Sequence, residues 1–181
     1  MKRVRQSLVI YEAALATAER VWPHLENVVQ RDNLASCYND LGRHEEALRL
    51  HREIYAFETA QLGITVGTLS TASNISSVLC NLERYSEARD FASKRIGEAT
   101  RVLGPDHDLT LRLRSHYARA IFKHPDATIR GKKSAVENME RIWRARQRGF
   151  GHSHRTTLEA QDDLVEARAA LAALRARETP S

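Results

Sequence analysis

The sequence predicts an all-α protein built as a stack of antiparallel helix pairs, with about eight helices. Alanine and leucine are abundant, whereas aromatic residues make up only 6% of the chain, which favours helices with small interlocking side chains. The four prolines fall between periodic segments or at the end of the chain. The chain also repeats itself, and its 181 residues suffice for one domain with a sizeable core.

The repeat consists of a helix, a tight polar turn and a second helix. Residues 33–47 match residues 74–88 at an offset of 41, and residues 101–111 match residues 148–158 at an offset of 47. The third copy carries an insertion of about five residues around His124. Three aligned copies indicate units that bury their apolar faces by stacking on one another.

Each unit has small residues where close packing or a tight turn requires them. Alanines stand where the two helices of a pair would approach most closely: Ala47, Ala88 and Ala135. Glycines lie just past a helix end, where a left-handed backbone favours glycine: Gly63, Gly104 and Gly151.

Periodicity and turns together predict the element boundaries. The helices are expected at residues 3–21, 25–41, 44–61, 67–82, 86–102, 108–123, 132–148 and 155–177. We expect a single domain over 1–181, with a half repeat at 8–24, repeats at 25–66, 67–107 and 108–154, and a terminal capping helix at 155–177.

The chain resembles tetratricopeptide repeats of the long kinesin-light-chain type. Three motifs carry the resemblance: Asn33-Leu34-Ala35, Gly42-Arg43-His44-Glu45-Glu46-Ala47 and Leu103-Gly104-Pro105-Asp106-His107. It covers roughly residues 8–175 and departs in the third unit, where the insertion replaces the glycine turn. The resemblance implies a right-handed superhelix, with the first helix of each pair lining a concave groove, and a role as an interaction scaffold.

The resemblance also indicates which side chains would face a peptide in that groove. The candidates are Asn33, Ser36, Asn39, Asn74, Ser77, Asn81, Arg112, His116 and Arg119. An asparagine amide can both donate to and accept from a peptide backbone, so asparagines in successive units suit an extended peptide. In the alternative interpretation, the asparagines hold neighbouring helices together or meet water.

Positive charge is concentrated late in the chain. Residues 123–155 hold nine basic and three acidic residues, a net charge of +6, while the whole chain carries +5. The simplest interpretation is a solvated helix face, and the alternative is a basic module for acidic or phosphate-bearing partners. The sequence argues against single-stranded nucleic acid, because no series of stacking aromatic residues alternates with the basic ones.

The sequence gives no support for an enzyme, a cofactor or a metal. His152 and His154 could share a metal ion, but no further ligands follow at useful spacing, so we expect a structural role in the turn. Residues 131–134 resemble part of a phosphate-binding loop but lack its earlier glycine and preceding strand.

The expected location is the cytoplasm. No apolar run is long enough to cross a membrane, and Glu12 interrupts the N-terminal apolar stretch too early for a signal peptide. Cys37 and Cys80 are expected to be free thiols in helices. The first helix would expose apolar residues, which predicts either a piece of a longer solenoid or self-association through this helix: Leu8, Val9, Ile10, Tyr11 and Leu15.

Together these features predict a protein–protein interaction scaffold that binds an unidentified peptide or protein in its groove. An acidic partner is one option. The alternative is a structural segment of a larger solenoid or assembly without a ligand of its own.

Overall fold

The computed structural model describes residues 28–178 without a break, and residues 6, 9, 10, 12, 13 and 16 before them. In this part of the chain every regular element is a helix. The stretch from 28 to 178 forms α1 (Val28–Asp40), α2 (His44–Leu62), α3 (Val66–Asn81), α4 (Tyr85–Leu103), α5 (Asp108–Lys123), α6 (Ile129–Phe150) and α7 (Arg155–Glu178). The predicted all-α fold is confirmed, with seven helices against about eight expected.

The boundaries of the seven helices lie close to the predicted ones. The eighth helix was predicted at 3–21, mostly outside the described residues, and the residues described there, 6, 9, 10, 12, 13 and 16, are helical. The largest difference is at α6, which begins at Ile129 although the sequence predicted residue 132. The side chain of Thr128 explains the earlier start, because its Oγ1 accepts the backbone N–H of Gly131 at 3.1 Å and caps the helix.

The chain divides into two compact units, Met1–Leu82 and Glu83–Ser181. In the first unit, α2 packs against both α1 and α3, and α1 also contacts α3. Buried Leu34, Ala35 and Leu50 form a small core between α1 and α2, with Tyr38 packed at its edge.

In the second unit, α5 packs against α4 and α6, and α7 packs against α6 and α5. Its core draws on three helices and centres on the buried side chains of Leu111, Phe122, Met139, Ile142 and Leu164. The organisation of residues 1–181 as a single repeat domain stays a prediction.

The predicted small residues are buried in helices or adopt the backbone of a tight turn. Ala47, Ala88 and Ala135 are completely buried, so no larger side chain fits at these helix contacts without displacement. Two of the predicted glycines, Gly63 and Gly104, follow α2 and α4 with positive φ angles of 67° and 92°. These backbone conformations favour glycine.

No helix among the described residues is long and apolar enough to cross a membrane.

Candidate peptide-binding faces

The first candidate face lies on α1 and α3 of the first unit, and two polar bridges join these helices. The side-chain amide of Asn74 donates to Asp32 Oδ1 at 3.2 Å, and that of Asn81 donates to Asn39 Oδ1 at 3.0 Å. The bridges are seven residues apart on each helix, which corresponds to about 10 Å along the axis. Three predicted residues, Asn39, Asn74 and Asn81, therefore take part in contacts between neighbouring helices.

Two histidines stand next to these bridges. His44 Nδ1 lies 2.9 Å from Asn39 Oδ1, and His51 Nδ1 lies 3.2 Å from Asp32 Oδ1. The His51 ring is almost completely buried, with 1% of its surface exposed, whereas Asp32 is one-third exposed. The sequence pattern did not reveal either histidine, because both lie on α2, outside the helices expected to face a ligand.

The remaining predicted residues of this face are less enclosed. Ser36 is exposed, and Asn33 and Ser77 are half-buried. We define the α1–α3 face as the surface formed by Asp32, Asn33, Ser36, Asn39, Asn74, Ser77 and Asn81. This face combines fixed amides with polar side chains that are accessible to water.

The second candidate face lies on α5 and α7 of the second unit. The predicted residues Arg112, His116 and Arg119 follow one another at helical spacing on α5, and all three are half-buried. Beside them, Ser115 Oγ donates to Asp163 Oδ2 of α7 at 2.9 Å. This hydrogen bond fixes α5 against α7 next to the predicted residues.

Burial lowers the pKa of His116 to about 3, and the neighbouring charges of Arg112, Arg119 and Arg146 act in the same direction. His116 is therefore neutral at physiological pH. Burial raises the pKa of Asp163, although its hydrogen bond from Ser115 and the nearby arginines oppose that shift.

Arg146 belongs to the basic stretch but does not contribute to a solvated face, because only 3% of its surface is exposed. Its Nη1 donates to the backbone oxygen of Thr156 at 2.8 Å, and its Nη2 lies 3.7 Å from Asp108 Oδ1. Burial lowers its pKa, and the carboxylate of Asp108 acts against this. Periodicity could not reveal this burial, since Arg146 lies among exposed basic neighbours.

The histidines near the helix starts act within their turns. His107 Nδ1 accepts the backbone N–H of Leu109 at 3.2 Å and caps α5. His154 stacks on Phe150 with 4.9 Å between ring centroids, while its Nδ1 lies 2.9 Å from Thr156 Oγ1. Within the described residues no three His, Cys, Asp or Glu side chains converge on a metal-binding position.

Residues 25–96 match the model of the tetratricopeptide repeat family. This part of the chain is therefore similar to tetratricopeptide repeats. Tetratricopeptide repeats generally serve protein–protein interaction and are generally not enzymatic. No curated protein matches the chain.

Solved structures of tetratricopeptide-like proteins share the fold. A putative kinesin light chain of Podosopora anserina, with nearly identical TPR-like repeats, matches with a TM-score of 0.68 and 18% identity, covering 99% of this chain and 90% of that one. A single-substitution variant of that protein gives a TM-score of 0.69 and 18% identity over 97% and 86%. BtubC (BKLC) from P. vanneervenii gives 0.61 and 16% over 99% and 77%.

Proposed function

We propose that this protein is a binding module that holds an extended segment of a partner protein on the α1–α3 face. The observation that carries the proposal is the pair of bridges from Asn74 to Asp32 and from Asn81 to Asn39. Each bridge engages one amide N–H of the donating asparagine and fixes the orientation of the whole group. The amide oxygen of Asn74 then points in a set direction before a ligand arrives.

Fixed amides suit a peptide backbone because they can pair with its N–H and C=O groups without losing further conformational freedom. The two bridges recur after about 10 Å, and an extended peptide advances by about 3.3 Å per residue. The two bridges would therefore contact positions of the bound peptide that are about three residues apart. Asn33, Ser36 and Ser77 offer further polar groups on the same helices.

The test begins by selecting peptides from a random library against the whole chain. The affinity of the selected peptides is then compared for the wild type, Asn33→Ala, and the double variant Asn33→Ala/Asn74→Ala. We expect the double variant to bind roughly thirtyfold more weakly, since each of the two lost amide contacts contributes about 1 kcal/mol. Gln61→Ala is the matched control, because it removes an exposed amide from α2, away from this face.

Equal affinity of the wild type and the double variant would contradict this proposal. Asn33→Ala alone separates ligand contact from helix pairing, because the structure records the bridge to Asp32 for Asn74 and not for Asn33.

We place this binding in the cytoplasm. Cys37 and Cys80 are both free and buried, which fits a reducing compartment. Burial raises the pKa of the Cys37 thiol, with the Asp40 carboxylate adding to the effect, so the thiol stays protonated and unreactive.

A further inference from the structure

The second unit contains a cavity of about 590 Å³ between α4, α5, α6 and the loop before α5. Successive residues of an α-helix are rotated by about 100°, so Arg114 in the cavity wall lies on the opposite side of α5 from His116 and its arginine neighbours. The cavity is therefore distinct from both candidate faces. Its lining comprises Ile96, Asp106, Leu111, Arg114, Tyr117, Asn138, Arg141, Ile142, Arg144, Ala145 and Arg148.

The lining is strongly basic. Four arginines stand against one carboxylate, that of Asp106, which leaves a side-chain charge of +3 (four minus one). Arg141, Arg144 and Arg148 follow at spacings of three and four residues and so share one side of α6, while Arg114 comes from α5. Within residues 28–178, none of the four side chains forms an ion pair or a hydrogen bond.

The rest of the wall is apolar or aromatic. Ile142 and Leu111 are buried beneath the arginines, and Ile96, Ala145 and the ring of Tyr117 extend this surface. A wall of this kind binds the organic part of a ligand as well as its charge. Its volume lies within the range of small-molecule sites, roughly 300–1,000 Å³.

We propose that this cavity binds a small phosphate ester that carries at least two negative charges and an apolar or aromatic organic group. The planar guanidinium fork matches phosphate oxygens with two parallel hydrogen bonds, and several forks can share one phosphate. A ligand with a single carboxylate would leave most of the positive charge of the cavity uncompensated. With Tyr117 as the one aromatic residue of the lining, the cavity lacks the series of stacking rings that single-stranded nucleic acid requires.

Calorimetric titration with phenyl phosphate at fixed ionic strength tests the proposal. The informative variant is Arg141→Gln/Arg148→Gln, whose two side chains are both exposed and so can be replaced without loss of folding. The matched control is Arg130→Gln/Lys133→Gln, which removes two exposed charges from the same helix, about 12 Å or more from Arg141 along the axis.

We expect phenyl phosphate to bind the wild type more tightly than inorganic phosphate. The affinity should fall by about tenfold or more in Arg141→Gln/Arg148→Gln and stay within about twofold in the control variant. Circular dichroism of both variants verifies that they fold.

Three outcomes would overturn the inference: no binding to the wild type at millimolar phenyl phosphate, equal losses in the two variants, or displacement of phenyl phosphate by a more tightly bound polyglutamate peptide. The last outcome would identify an acidic peptide as the occupant. None of these results bears on the α1–α3 face, which is built from residues of the first unit.

Discussion

Asn74 and Asp32 are 42 positions apart in the sequence, yet the amide of one donates to the carboxylate of the other at 3.2 Å. This hydrogen bond connects the first helices of two successive repeats. Asp32 also has the buried ring of His51 beside it, with 3.2 Å between Asp32 Oδ1 and His51 Nδ1. The carboxylate therefore stands between a donor on α3 and a histidine on α2.

Removing the amide should weaken this connection. We expect Asn74→Ala to lower the free energy of unfolding by about 1 kcal/mol, as for an ordinary lost hydrogen bond. Asn74→Asp should lower it further at neutral pH, because it places a second carboxylate beside Asp32. Urea denaturation measures both effects. Asn33→Ala serves as the control, and an equal loss in that variant would show that the Asn74 bridge has no particular role.

Ala88 provides a test of the packing around α4, because it is completely buried. Ala88→Leu should overfill this contact and lower the free energy of unfolding by roughly 1–3 kcal/mol. The exposed Ala169 of α7 provides the control, where the same substitution should leave the melting temperature nearly unchanged. An unchanged melting temperature for Ala88→Leu would contradict the close packing described for α4.

The lowered pKa of His116 predicts a pH dependence of stability. Its folded pKa of about 3 lies below the ordinary value of 6.5, so the unfolded chain takes up this proton first as the pH falls. The contribution of neutral His116 to the free energy of unfolding is complete above pH 6.5. It is lost as the pH falls toward the folded pKa, by at most about 1.4 kcal/mol per pH unit.

Thermal unfolding between about pH 7 and pH 5 should therefore show a smaller loss of stability for His116→Gln than for the wild type. Asp163 acts in the opposite direction. Its pKa is raised in the folded state, so its contribution is complete at low pH and is lost as the pH rises through that folded value. Asp163→Asn should consequently steepen the loss at the acidic end. Parallel curves for the wild type and His116→Gln would disprove the role of His116.

The turns before α2 and α4 offer a matched pair of substitutions. Gly42 and Glu83 both adopt left-handed backbone conformations, with φ angles of 79° and 59°. Gly42→Ala should lower the free energy of unfolding by about 1 kcal/mol because a side chain is strained in this region. Glu83→Ala should be close to neutral, because a residue with a Cβ atom already occupies that position. Equal effects of the two substitutions on urea denaturation would refute this account.

Self-association through the N-terminal segment remains a prediction. Val9 and Ile10 are 65% and 66% exposed, whereas Leu8, Tyr11 and Leu15 lie outside the described residues. We expect light scattering to show a mass that rises with protein concentration, and Val9→Ser/Ile10→Ser to reduce that rise. Val102→Ser in α4, which removes a comparably exposed apolar side chain, serves as the control. A constant monomer mass for the wild type would eliminate the idea.

The helices could be predicted because their signals are local. A periodic apolar pattern, a buried alanine such as Ala88 and a glycine such as Gly104 all lie within or next to the helix that they define. Thr128 was missed as a cap because the inserted residues before it match no other repeat. The effect was limited to the first turn of α6.

The details of the candidate site could not be predicted in the same way. The residue that accepts the hydrogen bond from the Asn74 amide depends on how α3 packs against α1. The repeat alignment instead pairs Asn74 with Asn33, the neighbour of the actual acceptor Asp32. The burial of Arg146 depends on how α5 and α7 pack against α6. The arginine cavity likewise brings together residues from α4, α5 and α6, and no single segment of the sequence carries its pattern.

Buried threonines connect two of the glycine turns to the helices that follow them. Thr68 Oγ1 donates to the carbonyl oxygen of Gly63 at 3.1 Å, and Thr110 Oγ1 donates to that of Gly104 at 2.8 Å. The same bond spans five residues in the first turn and six in the second. A loop can therefore gain one residue while both of its ends stay fixed. For protein engineering, one residue can accordingly be inserted after the exposed Gly63 of the shorter turn without shifting the next helix.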